Sequence, residues 1–124
     1  MIGVPIPSGS GGEKYNTTET VIGTWKGQTL YRKVIEFGTL PDNNMKDVST
    51  GFLRHAIKVV NTCVICRNSD NVNILLPFVS TLSGGAVINF RYDNNDGYLC
   101  AEIQTNFDAT MYTECDVIME YIKV

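Results

Sequence analysis

The 124-residue sequence lacks any strongly basic stretch and any long apolar run. Its formal charge at pH 7 is −3, and its ten Lys and Arg residues are scattered along the chain. This distribution offers no basic surface for a phosphate backbone, which argues against nucleic-acid binding. No apolar run approaches the roughly 18–20 residues of a membrane-spanning helix, and the first residues do not resemble a signal peptide. We expect a protein made in the cytosol, without nucleic-acid partners or membrane insertion.

Histidine is nearly absent, since His55 is the only one. A Ser-His-Asp or Cys-His site would have to assemble around this single residue, and no nucleophile motif such as G-x-S-x-G occurs. Carboxylates are present, but their spacing does not indicate a pair for glycoside hydrolysis. The sequence therefore predicts no catalytic residues and no enzyme activity.

Cysteine is sparse, and its spacing argues against zinc. Cys63 and Cys66 form a C-x-x-C inside a β-branched run, where residues three apart point to opposite faces of a strand. Cys100 and Cys115 fall in two other predicted strands. We expect four reduced thiols that pack as small apolar side chains, with no metal site and no cofactor.

The remaining composition, 44% hydrophobic and 19% charged, suits one globular domain. Short β-rich runs alternate with turn formers, and no convincing long helix occurs, so the sequence predicts an all-β fold. We expect an antiparallel β-sandwich, jelly-roll-like, with about eight strands. Pro77 favours an edge or bulge, and 49–58 is alternatively one or two helical turns. The expected strands are 21–25, 29–37, 46–49, 56–66, 72–79, 88–92, 99–103 and 114–123, with 105–111 a loop or strand.

The loop of the first hairpin has two possible registers. A three-residue loop of Lys26-Gly27-Gln28 would place Gly23 opposite Tyr31, where the aromatic ring covers the glycine. A two-residue turn would instead pair Gly23 with Leu30. The sequence leaves both open.

Before this hairpin, residues 2–14 are rich in Gly, Pro and Ser. We divide the chain into an extended arm at 1–14 and a β-sandwich domain at 15–124. The arm is either a flexible terminus or an attachment segment that docks on another subunit. Ile2, Val4 and Ile6 alternate as an added strand would.

The run Tyr-x-Thr-x-Glu, Val-Ile-Gly-Thr-Trp and Leu-Tyr-Arg-Lys at 15–33 resembles the C-terminal β-sandwich module of bacteriophage tail-fibre and receptor-binding (baseplate) proteins. That family's run is close to Y-S-T-x-E-x-x-V-G-T-W-I-D-G-K-P-L-Y-x-K. The closing V-I-M-E-Y-I-K at 117–123 is similar to its terminal V-T-x-E-Y-T-K strand. Here one residue fewer separates Trp25 from Leu30, and Thr29 replaces the usual Pro. The positions kept are Tyr15, Thr17, Glu19, Gly23, Thr24, Trp25, Gly27, Leu30, Tyr31 and Lys33.

The resemblance implies a non-enzymatic structural protein of a phage virion, a fibre or receptor-binding head module that contributes to host-surface attachment. It implies production in the host bacterial cytoplasm, location on a tail or head fibre, and a homotrimer. The arm would contact other virion proteins, and a host cell-surface glycan or protein would be the receptor. Two alternatives stay open: a purely architectural head-fibre or decoration protein of the capsid, and a free-standing carbohydrate-binding module. We expect structural roles for the signature residues Tyr15, Glu19, Gly23, Trp25 and Tyr31.

The loop after the run 88–92 is the candidate receptor-contact region. Its Asp, Asn and Gly residues are typical of a tight, exposed turn. The ligand spacing of an EF-hand does not fit this loop, so a turn explains these residues better than a calcium site does. A sugar-stacking platform could form from five aromatic residues, Trp25, Tyr31, Tyr92, Tyr98 and Tyr112. Core packing is the better account of Trp25 and Tyr31. The candidate contact residues are Asp93, Asn94, Asn95, Asp96 and Tyr98.

Overall fold

The structure, a computed structural model, describes residues 15–80 and 84–124. These residues form nine strands and no helix, so the expected all-β class is confirmed. The arm expected at 1–14 lies outside the described residues. The strands are β1 (Thr20–Trp25), β2 (Gln28–Glu36), β3 (Met45–Leu53), β4 (Ile57–Asn68), β5 (Asn73–Leu76), β6 (Phe78–Ser80), β7 (Gly84–Tyr92), β8 (Tyr98–Thr105) and β9 (Tyr112–Lys123).

Two antiparallel sheets pack together as the expected β-sandwich. One sheet has five strands in the order β1-β2-β9-β4-β5, and the other has four in the order β3-β8-β7-β6. Strands distant in sequence therefore become neighbours, since β2 pairs with β9 and β3 pairs with β8. Within the described part of the chain, no helix is present that could cross a membrane.

The expected strand near the middle of the chain is divided by Pro77. Residues on either side of it form β5 and β6, which lie in different sheets. This division gives nine strands where about eight were expected. The helical alternative for 49–58 is wrong, because β3 continues to Leu53 and β4 begins at Ile57 after a short turn. Both β5 and β6 are edge strands, where a proline's missing N–H costs least.

The first hairpin closes with the shorter of the two possible loops. Gly23 pairs with Leu30, so Lys26 and Gly27 alone form the turn. Both turn residues have positive φ, 49° and 79°, as a type I′ turn requires. The register that sets Gly23 opposite Tyr31 is therefore wrong.

Strand β9 lies at the centre of the five-stranded sheet, between β2 and β4. Its inward side chains Val117, Met119 and Tyr121 are fully buried, and Ile103 of β8 is fully buried on the facing sheet. Because side chains alternate along a strand, Ile118 of β9 points to the outer face of the sheet. Ile118 thus lies on the outer face of the sheet, where it lines a groove.

The β7–β8 hairpin is buried on more than the one face that its alternation predicts. Cys100 and Glu102 alternate with the core residues Ala101 and Ile103 and so point to the other face of β8, yet they are only 8% and 7% exposed. The guanidinium of Arg91 lies against Glu102 and also donates to Asp47 at 3.1 Å. Side chains on the outer face thus cover one another, which strand alternation alone does not reveal.

Candidate functional site

The two segments that carry the family resemblance meet in space. The phenol of Tyr121 in β9 donates to Glu19 Oε1 at 2.7 Å, and Lys123 Nζ donates to Glu19 Oε2 at 2.8 Å. The ring of Tyr31 stacks on that of Tyr121 with centroids 5.8 Å apart, and Lys123 Nζ lies 4.5 Å from the Tyr31 centroid. We call the set Glu19, Tyr31, Tyr121 and Lys123 the terminal seam.

The terminal seam holds one ionised carboxylate against a neutral phenol. Burial by itself raises the pKa of Glu19, but hydrogen bonds from Lys123 and Tyr121 outweigh it and leave that pKa below its ordinary value. Burial and the hydrogen bond to Glu19 raise the pKa of Tyr121. The proton therefore stays on the phenol, which donates to the carboxylate.

Three other signature residues lie around the seam. The Tyr15 ring lies 4.2 Å from the guanidinium carbon of Arg32. Gly23, with a φ of 151°, sits where the pairing of β1 with β2 shifts register. Trp25 is half-buried, with Lys26 Nζ 4.8 Å and Lys58 Nζ 4.9 Å from its ring centroid. Each of these residues thus has a contact or a backbone role in the first hairpin.

A groove of about 840 Å³ crosses the outer face of the same sheet. Its floor is a row of apolar side chains on three adjacent strands: Val34 of β2, Ile118 of β9 and Cys63 of β4. All three are half-buried. We call the set Tyr15, Val34, Glu36, Cys63, Asp116 and Ile118 the outer groove.

The segment before β1 forms one wall of the outer groove. The carbonyl of Asn16 accepts a hydrogen bond from the backbone N–H of Val34 at 2.8 Å, which holds this segment beside β2. At this end Arg32 donates two hydrogen bonds to Glu120, and Asn61 Nδ2 donates a third at 3.3 Å. The negative charge of Glu120 is therefore balanced by Arg32 within the fold.

At the other end of the outer groove lie carboxylates that form no ion pair with any described residue. Glu36 and Asp116 are paired across β2 and β9. Burial, Glu36 and the nearby Glu114 raise the pKa of Asp116. The outer groove thus combines an apolar floor with a negatively charged end formed by Glu36 and Asp116.

The predicted contact loop is a separate feature on the other sheet. It closes the β7–β8 hairpin, and its carboxylates serve the loop's own backbone: Asp93 Oδ1 accepts from Asn95 N at 2.8 Å, and Asp96 Oδ1 accepts from Tyr98 N at 2.9 Å. The Tyr98 side chain is 38% exposed. We call residues 93–98 the tip.

A hollow of about 410 Å³ lies beside the tip. Asp93, Asn94 and Asn95 line it together with Arg91 and Cys100, whereas Asp96 and Tyr98 do not. Burial and the charges of Asp47, Asp93 and Asp96 raise the pKa of the Cys100 thiol. The structure thus brings part of the predicted contact set to one hollow and leaves Tyr98 outside it.

The five aromatic residues considered for sugar stacking do not share one surface. Trp25 and Tyr31 lie in the five-stranded sheet, while Tyr92 and Tyr98 lie in the four-stranded one. Tyr112 is buried, with 8% exposure. Among residues 15–80 and 84–124, no group of three or more His, Cys, Asp or Glu side chains is placed to hold a metal ion.

Comparison with protein-family models, with curated proteins and with solved structures gave no match. The terminal seam, the outer groove and the tip are therefore the features that bear on function.

The sequence pointed to the tip but missed the outer groove. The signal was present in β9, where Ile118 is an apolar residue at an outward position between Asp116 and Glu120. The cysteines gave a second signal, since Cys66 is buried in the core while Cys63 faces the groove. All four cysteines are free thiols, and the two of the C-x-x-C point to opposite faces as strand alternation predicts.

Proposed function

We propose that this chain is a non-enzymatic structural protein of a bacteriophage particle, a fibre or receptor-binding head that attaches the particle to the host surface. In this proposal it is a homotrimer on a tail or head fibre. The tip contacts a host glycan or protein through Asp93, Asn94, Asn95, Asp96 and Tyr98. The arm at 1–14 binds other virion proteins.

The observation that carries the proposal is the terminal seam. The resemblance to phage fibre modules rests on two short runs at opposite ends of the sequence, and either run alone would be weak. In the fold these runs are adjacent strands, and Glu19 bonds to Tyr121 across a separation of 102 residues. Because the two matching runs contact each other and form one structural unit, they support the family's module better than two matching runs that lay far apart in the fold would.

The test is binding of fluorescently labelled protein to a panel of bacterial cells and to purified cell-wall polysaccharides. We expect saturable binding to a subset of strains, and the Tyr98→Ala variant should bind at least about tenfold more weakly, a typical loss for an exposed aromatic contact. Tyr15→Ala is the matched control, since Tyr15 is another exposed tyrosine, far along the chain at the outer groove. Its affinity should equal that of the unaltered protein.

Light scattering on the same preparation tests the assembly. We expect three times the 13.7 kDa of one chain, with or without residues 1–14. A monomer in both forms would overturn the fibre proposal in favour of a decoration or carbohydrate-binding module. Binding lost in Tyr15→Ala and kept in Tyr98→Ala would contradict the tip as the receptor contact.

A further inference from the structure

The apolar floor of the outer groove is left uncovered by the described residues. Val34, Cys63 and Ile118 are half-buried, and Ile65 beside them on β4 is 38% exposed. Removing apolar surface from water is favourable by about 25 cal/mol per Å². Burial of this row of side chains under another segment or molecule would therefore be favourable.

The chain itself leads to this groove. Tyr15 and Asn16 form its wall, and Asn16 is held to Val34 by a backbone hydrogen bond of 2.8 Å. Residues 1–14, which the structure does not describe, therefore join the domain at the edge of the groove. Ile6 and Tyr15 are nine positions apart, and a Gly- and Ser-rich segment of that length has an average span of about 15–18 Å. Three adjacent strands are only about 10 Å across, so the arm can reach the whole floor.

The chemistry of the arm fits a sheet face better than a sheet edge. Pro5 and Pro7 have no N–H and lie two residues apart, so an added edge strand could pair in only one of its two orientations, the one with both prolines turned to solvent. Packing on the face of a sheet needs no ladder hydrogen bonds. It needs apolar side chains on one side of an extended segment, and Ile2, Val4 and Ile6 supply them at alternate positions.

Charge also permits this arrangement. Residues 1–12 contain no charged side chain, so the part of the arm that would cover the floor brings no like charge toward Glu36 and Asp116. A Gly- and Ser-rich connection of this length would keep the local concentration of the arm near the groove in the millimolar range, so that even weak packing would give substantial occupancy.

We propose that, in the free protein, residues 2–6 pack over the floor of the outer groove of the same chain, with Ile2, Val4 and Ile6 against Val34, Cys63 and Ile118. This goes beyond the proposed function, because it gives the arm a resting position on its own domain. A partner that binds the arm would then uncover the groove, so the arm and the groove cannot both be engaged independently.

Cys63 is a built-in reporter of this contact. It lies in the floor, while Cys66, Cys100 and Cys115 are buried at 0%, 8% and 2% exposure. The experiment follows alkylation of Cys63 by N-ethylmaleimide, an uncharged reagent, in the native full-length protein. Peptide mass spectrometry identifies the modified thiol, and Cys63→Ala shows the background.

The test variant is Val4→Asp with Ile6→Asp, and the matched control is Ser8→Asp with Ser10→Asp, which adds the same charge to the linker part of the arm. We expect Cys63 to react roughly tenfold faster in the test variant than in the unaltered protein and the control, a factor that corresponds to about 1.4 kcal/mol of docking. Equal rates in all three proteins would overturn the proposal.

A mixing experiment separates the chain's own arm from that of a second copy. The Val4→Asp, Ile6→Asp protein is refolded together with an excess of the Cys63→Ala protein, which has an intact arm and no reporter. We expect no protection of Cys63, since each arm covers its own groove. Protection by the added chains would mean that a second copy supplies the arm, and would overturn the proposal as stated. Neither result bears on tip binding, so the attachment proposal is tested separately.

Discussion

Two carboxylates on the five-stranded sheet show how differently the terminal seam and the outer groove are built. Glu19 in the seam accepts hydrogen bonds from Tyr121 and Lys123, and its pKa is lowered. Asp116 in the groove faces Glu36 across the strand pair, and its pKa is raised. The charge of Glu19 stabilises the fold, whereas the charge of Asp116 opposes it. A carboxylate close to another carboxylate on the surface is typical of sites kept for binding at some cost in stability.

The largest contrast is expected between the two faces of β9. Tyr121→Ala removes a fully buried ring from the seam and should cost about 3–5 kcal/mol of unfolding free energy. Ile118→Ala, on the groove face of the same strand, removes a half-buried side chain and should cost about 1 kcal/mol. Urea unfolding followed by the fluorescence of Trp25 measures both. Equal losses would remove the distinction between seam and groove.

A smaller effect is expected from Glu19→Ala, which leaves the Tyr121 phenol without its acceptor. The loss should be about 1–2 kcal/mol at pH 7. Because the folded pKa lies below the ordinary 4.5, the contribution of Glu19 is present above pH 4.5 and is lost as pH falls through the folded value. The gap between variant and unaltered protein should therefore narrow in acid.

Glu36→Ala is the matched control for Glu19→Ala, since Glu36 is an exposed carboxylate on the same sheet. It should not lower stability at pH 7. If the Glu19→Ala gap stayed constant down to about pH 3, the hydrogen bonds to the ionised carboxylate would not be its cause.

The smallest effect is expected from Asp116→Asn, and its sign is opposite. Since burial and Glu36 raise the folded pKa above the ordinary 3.8, the favourable contribution of protonated Asp116 is present below pH 3.8 and is lost as pH rises through the folded value. Removing the charge should raise stability at pH 7 by roughly a few tenths of a kcal/mol, because the site is exposed.

Asp108→Asn is the control, because hydrogen bonds from Thr110 lower the pKa of Asp108. A stabilised Asp108→Asn, or a destabilised Asp116→Asn, would contradict this difference.

Local sequence patterns predicted most of the strands, and their failures have physical causes. Alternation in 88–92 and 99–103 indicated the β7–β8 hairpin, and the Asx-rich loop between them indicated its exposed turn. Alternation could not show that Arg91 covers Glu102, because that contact depends on two strands being in register. Nor could it show that Pro77 moves the chain from one sheet to the other.

The sequence by itself determined the β class, the positions of the hairpins and the separation of Cys63 from Cys66, because these follow from the two-residue period of a strand and from turn chemistry. Only the tertiary structure decided the two-residue turn at Lys26-Gly27, the contact of Glu19 with Tyr121 and the existence of the outer groove. The groove needs β2, β4 and β9 side by side, and no local pattern specifies which distant strands pair. That choice comes from burying the inner faces of both sheets in one core, and the outer surface follows from it.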